Sequence, residues 1–158
     1  MRILLAIDGS ACSDAAVAEV ASRPWPPGSK IKIISAYEVP LTPSPEGWSI
    51  LNEYYDQMEQ AEREHAERAA EAASAKLAPA LGQSIEISAQ TFSGPPKDVI
   101  LEQAEQWKAD LIVVGSHGYG AWARFLLGSV SQAVVLHAKC SVEVVHCQPP
   151  QTDEKQAA

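Results

Sequence analysis

Gly115 and Gly118, a gap of nine residues, then Gly128 and Ser129 form the spacing in this 158-residue chain that points most directly to chemistry. Glycines let backbone N–H groups come close to an anion. A small hydroxyl residue at a helix start adds a side-chain donor. There the first N–H groups have no partner within the helix, and the helix dipole is positive. The apolar run Leu111-Ile112-Val113-Val114 precedes the glycines, and the helix-like stretch Val130 to Leu136 follows Ser129. A strand that ends in glycines and reopens on a helix start is built to hold phosphate. No Gly-Lys-[Ser/Thr] occurs, so the Walker lysine is absent, and the gap is too long for a Walker or dinucleotide fingerprint.

Other residues near the motif admit two readings each. Asp8 ends an apolar run, where an aspartate makes an Asx turn, caps a helix or meets a ligand. Ser129 can cap its helix or contact phosphate. Ser131 can lie on the helix surface or reach phosphate. His117 reads as a loop residue, because no carboxylate close in sequence would orient it as a base. Arg124 is a phosphate partner or a solvated cation, the second being the commoner case. Cys140, His146 and Cys147 fit no zinc spacing, and the three cysteines make no disulfide framework. They are expected to serve packing.

Charge bounds the class of partner. The net charge of -8 disfavours duplex nucleic acid and anionic membranes. The acids are uneven: Glu46 to Glu71 is rich in them, whereas Leu111 to Val142 has none. The glycine motif therefore sits in the long stretch free of negative charge. No run approaches transmembrane length, and the N-terminal apolar run is too short for a signal sequence. A soluble cytoplasmic protein is expected.

The elements that must position these residues follow from periodicity. Ile3 to Ile7 reads as a strand buried on both faces, ending at Asp8-Gly9-Ser10. An alanine-rich helix is predicted from Ser13 to Ala21, a strand from Lys30 to Tyr37, and a proline-rich loop from Val39 to Pro45. The longest helix is predicted from Glu46 to Leu81, stopped by Pro79 and Gly82. Its inward face is expected to carry Leu51, Tyr54, Met58, Ala61, Ala69, Ala73 and Leu77. Ser84 to Phe92 alternates and predicts a strand near a sheet edge. Gly94-Pro95-Pro96 opens a helix with Val99, Ile100, Ala104 and Trp107 inward. Strand four, the helix from Ser129 to Ala138 and a last strand from Val142 to His146 complete the domain, 1–148. The tail 149–158 is expected to be disordered. Strands alternating with helices predict an open five-stranded parallel sheet sandwiched by helices. Ligands of such sheets sit beyond the carboxyl ends of the strands, where strand order reverses. Strands one and four flanking that reversal would bring Asp8 and the glycine motif to one crevice.

On these residues the chain resembles the universal stress protein family. The resemblance spans roughly Met1 to Cys147 and rests on Ala6-Ile7-Asp8-Gly9-Ser10, on Ala109 to Gly118, and on Gly128-Ser129-Val130-Ser131. The ATP-binding members carry Gly-x2-Gly-x9-Gly-[Ser/Thr], and Gly115, Gly118, Gly128 and Ser129 match each defined position. The resemblance implies a Rossmann-like domain of the adenine nucleotide alpha hydrolase type. It implies a site for ATP, with AMP or ADP as alternatives, and Mg2+. Asp8 would lie near adenine and ribose, Ala36 would offer its backbone to the base, and Val114 would line the base pocket. Gly115, Gly118, Gly128, Ser129 and Val130 would wrap ribose and phosphates, with Ser131 near phosphate or metal. A homodimer through the last strand is implied. Ser141, where many relatives have proline, and Glu143 within the last strand are departures.

The functional expectation is a nucleotide-dependent stress or signalling switch, not a strong catalyst. Bound triphosphate would order the loop between Gly115 and Gly128. The rival readings are a slow ATPase or phosphotransfer enzyme and an interaction module without nucleotide.

Overall fold

A computed structural model describes residues 1–38, 48–118 and 127–147, with the backbone alone at 48–53. The expectations for the loop from Val39, for Arg124 and the ordering of its loop, and for the tail lie outside the described residues. Among the described residues nine elements alternate: β1 (Arg2–Ile7), α1 (Ala11–Ser22), β2 (Lys30–Tyr37), α2 (Trp48–Leu81), β3 (Glu86–Ser93), α3 (Pro96–Gln106), β4 (Leu111–Gly115), α4 (Ser129–His137) and β5 (Ser141–Val145). The five strands form one parallel sheet in the order β3-β2-β1-β4-β5.

The chain winds outward through β2 and β3, then crosses back to place β4 against β1 on the other side. Strand order reverses between β1 and β4, whose register sets Leu5 opposite Val113 and Ala6 opposite Val114. Asp8 and Ser116 therefore leave the sheet side by side. Alternate residues of β1 feed two cores. Ile3, Leu5 and Ile7 pack with Val17, Val20 and Leu77 of α1 and α2. Leu4 and Ala6 pack with Ile100 and Val134 of α3 and α4. Burial on both faces explains why β1 and β4 read as continuous apolar runs. The half-exposed β3 is an edge strand, as its alternation predicts.

Three expectations need correction. First, α2 runs through Pro79 and stops at Gly82, whose φ is +68° and whose N–H donates to the Ala78 carbonyl at 3.2 Å. A proline in the last turn forfeits one hydrogen bond, whereas the left-handed glycine ends the helix. Second, the buried face of α2 is Ala66, Ala70, Ala73 and Leu77, whereas Tyr54 is 58% exposed and Ala61 is exposed. Length explains this. A helix of 34 residues spans about 51 Å, and the longest strands, of 8 residues, span about 26 Å. The first half of α2 overhangs the sheet.

Third, the cysteines are not all packing residues. Cys12 and Cys147 form a disulfide, with Cα atoms 4.7 Å apart across 135 residues of sequence. The carboxyl end of β5 lies beside the start of α1, a proximity that only the sheet order creates. Cys140 is free. Glu143, the charge within β5, turns to the α1 side. There its carboxylate accepts two hydrogen bonds from Arg23, at 2.7 and 2.8 Å, and Arg23 also bonds Glu19 and lies over the Trp25 ring. These two carboxylates hold the Arg23 guanidinium above its ordinary range, the Glu143 hydrogen bonds being the larger cause.

Candidate functional site

A cavity of about 360 Å³ opens at the carboxyl ends of β1, β2 and β4 and at the start of α4. It is lined by Asp8, Ala36, Val114, Gly115, Gly118, Gly128, Ser129, Val130 and Ser131, so the chain folds all nine sequence-derived candidates around one space. Ile34, Ile100 and Pro96 add apolar wall. Sequence reading passed over Ile34, although it stands two residues before Ala36 on β2 and so shares its face.

Asp8 makes the Asx turn: its Oδ1 accepts the Ser10 N–H at 2.9 Å. It does not cap α1. That role belongs to Ser10, whose hydroxyl accepts the Ser13 N–H at 3.3 Å. Of the described residues lining the cavity, Asp8 alone carries a carboxylate. His65 on α2 places its Nε2 3.3 Å from the Asp8 backbone oxygen, so α2 braces the turn that holds this carboxylate.

The glycines are set by close approach. A Cβ on Gly118 would lie 2.7 Å from Asp8 Oδ2. A Cβ on Gly115 would lie 2.7 Å from the Cys12 carbonyl carbon and 2.9 Å from the Ser13 nitrogen. Gly115 thus lets β4 end hard against the start of α1, a packing reason beside any ligand reason. Gly128 is the N-cap of α4 and provides no side-chain cap. Ser129 is therefore the first helical residue and not the cap, and its side chain is exposed at the cavity. The Gln132 N–H closes the first turn on the Gly128 carbonyl at 2.9 Å. The N–H groups of Ser129, Val130 and Ser131 have no i−4 carbonyl in the helix, and such groups are natural anion donors.

Ser116 ties the two ends of the motif together, a role without a sequence signal. Its carbonyl accepts the Gly128 N–H at 2.8 Å and the Ser131 hydroxyl at 2.9 Å. The same Ser131 hydroxyl lies 2.9 Å from the Gly128 carbonyl. Ser131 is 3% exposed, and its proton serves this staple. His117 places Nδ1 3.1 Å from the Ser116 hydroxyl, and its buried Nε2 has no hydrogen-bond partner among the described residues. A buried polar atom without a partner beside a cavity is the kind of group a polar ligand satisfies. Among the described residues no three His, Cys, Asp or Glu side chains gather to hold a metal ion. No described helix is long and apolar enough to cross a membrane.

The family model described as "Universal stress protein family" matches residues 1–146. A Thermus aquaticus protein, the universal stress protein in the QAH/OAS sulfhydrylase 3′ region, is 37% identical over 143 residues, covering 90% of this chain and 96% of that one. Some other curated relatives match over less of their length: 35% of universal stress protein A homolog 2 from Coxiella burnetii and 47% of a Mycobacterium tuberculosis universal stress protein. Among solved structures, universal stress protein UspA from Lactobacillus plantarum superposes with a TM-score of 0.77 at 27% identity, covering 92% of this chain and 97% of that one. A universal stress protein solved in complex with cAMP superposes at 0.61 with 26% identity, covering 94% and 98%.

Proposed function

The chain belongs to the universal stress protein family, and on that premise we propose that it binds ATP with Mg2+ in the cavity at the β1/β4 reversal and acts as a nucleotide-dependent switch in cytoplasmic stress signalling. The observation that carries the reading is the convergence on one cavity of an apolar wall, one carboxylate and an uncapped helix start. Ala36, Ile34, Val114 and Ile100 offer an adenine ring an apolar slot. Asp8 is an acceptor for ribose hydroxyls. Gly115, Gly118, Gly128, Ser129, Val130 and Ser131 surround the phosphates, and the N–H groups at the α4 start, with the Ser129 hydroxyl, are their donors. Magnesium enters with the phosphates, as is usual where few protein carboxylates are at hand. The cAMP complex of the relative at 26% identity supports an adenine nucleotide as the ligand class.

Switching is preferred over catalysis because of how the polar groups are employed. The Asp8 carboxylate closes a turn and the Ser131 hydroxyl staples two carbonyls. Phosphoryl transfer needs a positioned nucleophile and metal. The same reading includes a homodimer through the outer edge of β5, which has no neighbour on that side within the described sheet.

Calorimetry with Mg-ATP, ADP and AMP tests the site. Micromolar binding is expected, lost in Gly128→Val, whose γ-carbons must crowd the Ser116 carbonyl and His117. Protein that yields no nucleotide on heat release and no binding heat with any of the three would sink the proposal. ATP turnover should match buffer blanks, and turnover well above them would replace the switch with an enzyme.

A further inference from the structure

We propose that Cys12 and Cys147 are a reversible redox modification site, closed by a hydroperoxide, that latches the end of β5 onto the wall of the nucleotide cavity. The two cysteines are joined with Cα atoms 4.7 Å apart, within the span a disulfide bridges. Cys12, 5% exposed, is in the first turn of α1. Its neighbour Ser13 lines the cavity, and its carbonyl carbon lies 2.7 Å from where a Gly115 Cβ would stand. The Ser116 hydroxyl lies 3.8 Å from its sulfur. Cys12 is thus built into the joint between α1 and the glycine motif. Cys147 is partly exposed just beyond β5, open to oxidant and to reductant. Accessible disulfides are the labile ones, and in a cytoplasmic protein a disulfide marks a redox event.

The chemistry balances with a hydroperoxide as oxidant. The Cys147 thiolate attacks the terminal peroxide oxygen, becoming a sulfenic acid and releasing an alcohol, or water from hydrogen peroxide. The Cys12 thiol loses its proton and attacks the sulfenic sulfur, and the departing hydroxide becomes water with that proton. Two thiols lose two electrons and two protons in total, and an external dithiol returns them. Cys140 stays out of the pair. Burial, with the Asp110 charge second, raises its thiol above its ordinary range, which lowers its thiolate fraction. Closing the bond restrains the start of α1 and the Gly115–His117 turn, so the cavity is preorganised. The effect on affinity rests on the nucleotide reading, whereas the pairing and the restraint do not.

The full chain, reduced with dithiothreitol, desalted and treated with hydrogen peroxide, is alkylated and digested without reductant for mass spectrometry. A linked Cys12–Cys147 peptide is expected, with Cys140 alkylated and dithiothreitol restoring three free thiols. Amide exchange over residues 10–17 and 144–147 should slow in the oxidised form, and the Kd for ATP should fall about fivefold. Cys147→Ser, at the accessible position, should fold and show none of these responses, with Cys12→Ala as the second variant. Three alkylated cysteines after peroxide, a link through Cys140, or a linked pair with unchanged exchange overturns the latch. A linked pair with slowed exchange but equal ATP affinity overturns its coupling to the site. Slowed exchange with no ATP binding to either form supports the latch and removes the nucleotide reading.

Discussion

Gly118 and Gly115 fail in opposite ways when given a methyl group, and the contrast separates binding from folding. At Gly118 the new carbon meets Asp8 Oδ2 at 2.7 Å, the carboxylate oxygen outside the Asx turn, which a small rotation about the kept Oδ1–Ser10 hydrogen bond can move aside. Gly118→Ala should weaken ATP binding about tenfold, about 1.4 kcal/mol, with the urea midpoint unchanged. In an Asp8→Ala background the same substitution should cost little more, because coupled residues are not additive. Equal losses in both backgrounds would show that Asp8 is not the intermediary. At Gly115 the new carbon meets the Cys12 backbone, which cannot rotate aside. Gly115→Ala should lose about 1–3 kcal/mol of stability in urea denaturation. The spacing of the glycines was readable in the sequence. What each glycine faces was not, because Cys12 and Asp8 lie more than a hundred residues away along the chain.

The two ends of the glycine segment are joined at the scale of elements. Ser131 on α4 donates to the Ser116 carbonyl just past β4. Ser131→Ala should cost about 1–2 kcal/mol, since it leaves a buried carbonyl short of a donor. The length of α2 sets a second contrast. Leu77, fully buried under the sheet, should cost about 2–5 kcal/mol when cut to alanine, whereas Tyr54, on the overhanging half, should stay within about 0.5 kcal/mol. Similar losses at both positions in denaturant titrations would refute the overhang. Periodicity announced a helix here and its approximate ends. It could not say how much of the helix has a sheet beneath it, since that depends on the length of other elements.

For the whole molecule, the open edge of β5 is where the proposed dimer forms. The Val145 carbonyl accepts the Ser116 N–H, so strand alternation turns the Val144 N–H to the outer edge. Val144→Pro removes that outward donor and spares the ladder to β4. Sedimentation should find a dimer that this substitution converts to monomer while ATP still binds, and a wild-type monomer at high micromolar concentration would exclude the pairing. The parallel α/β architecture was legible in the sequence: it follows from apolar runs for strands covered on both faces, helical periods between them, and the right-handed crossovers that such units require. The meeting of Asp8 with the glycine motif was legible only on the condition that β1 and β4 are neighbours, which the sheet order meets. The Ser116 staple, the Cys12–Cys147 bond and the Arg23–Glu143 pair were decided only by the tertiary structure. Ser116 joins a segment bounded by two elements, and Cys12 and Arg23 find partners more than a hundred residues onward. Nothing in local periodicity reports which groups the sheet order β3-β2-β1-β4-β5 brings within hydrogen-bond or bonding distance.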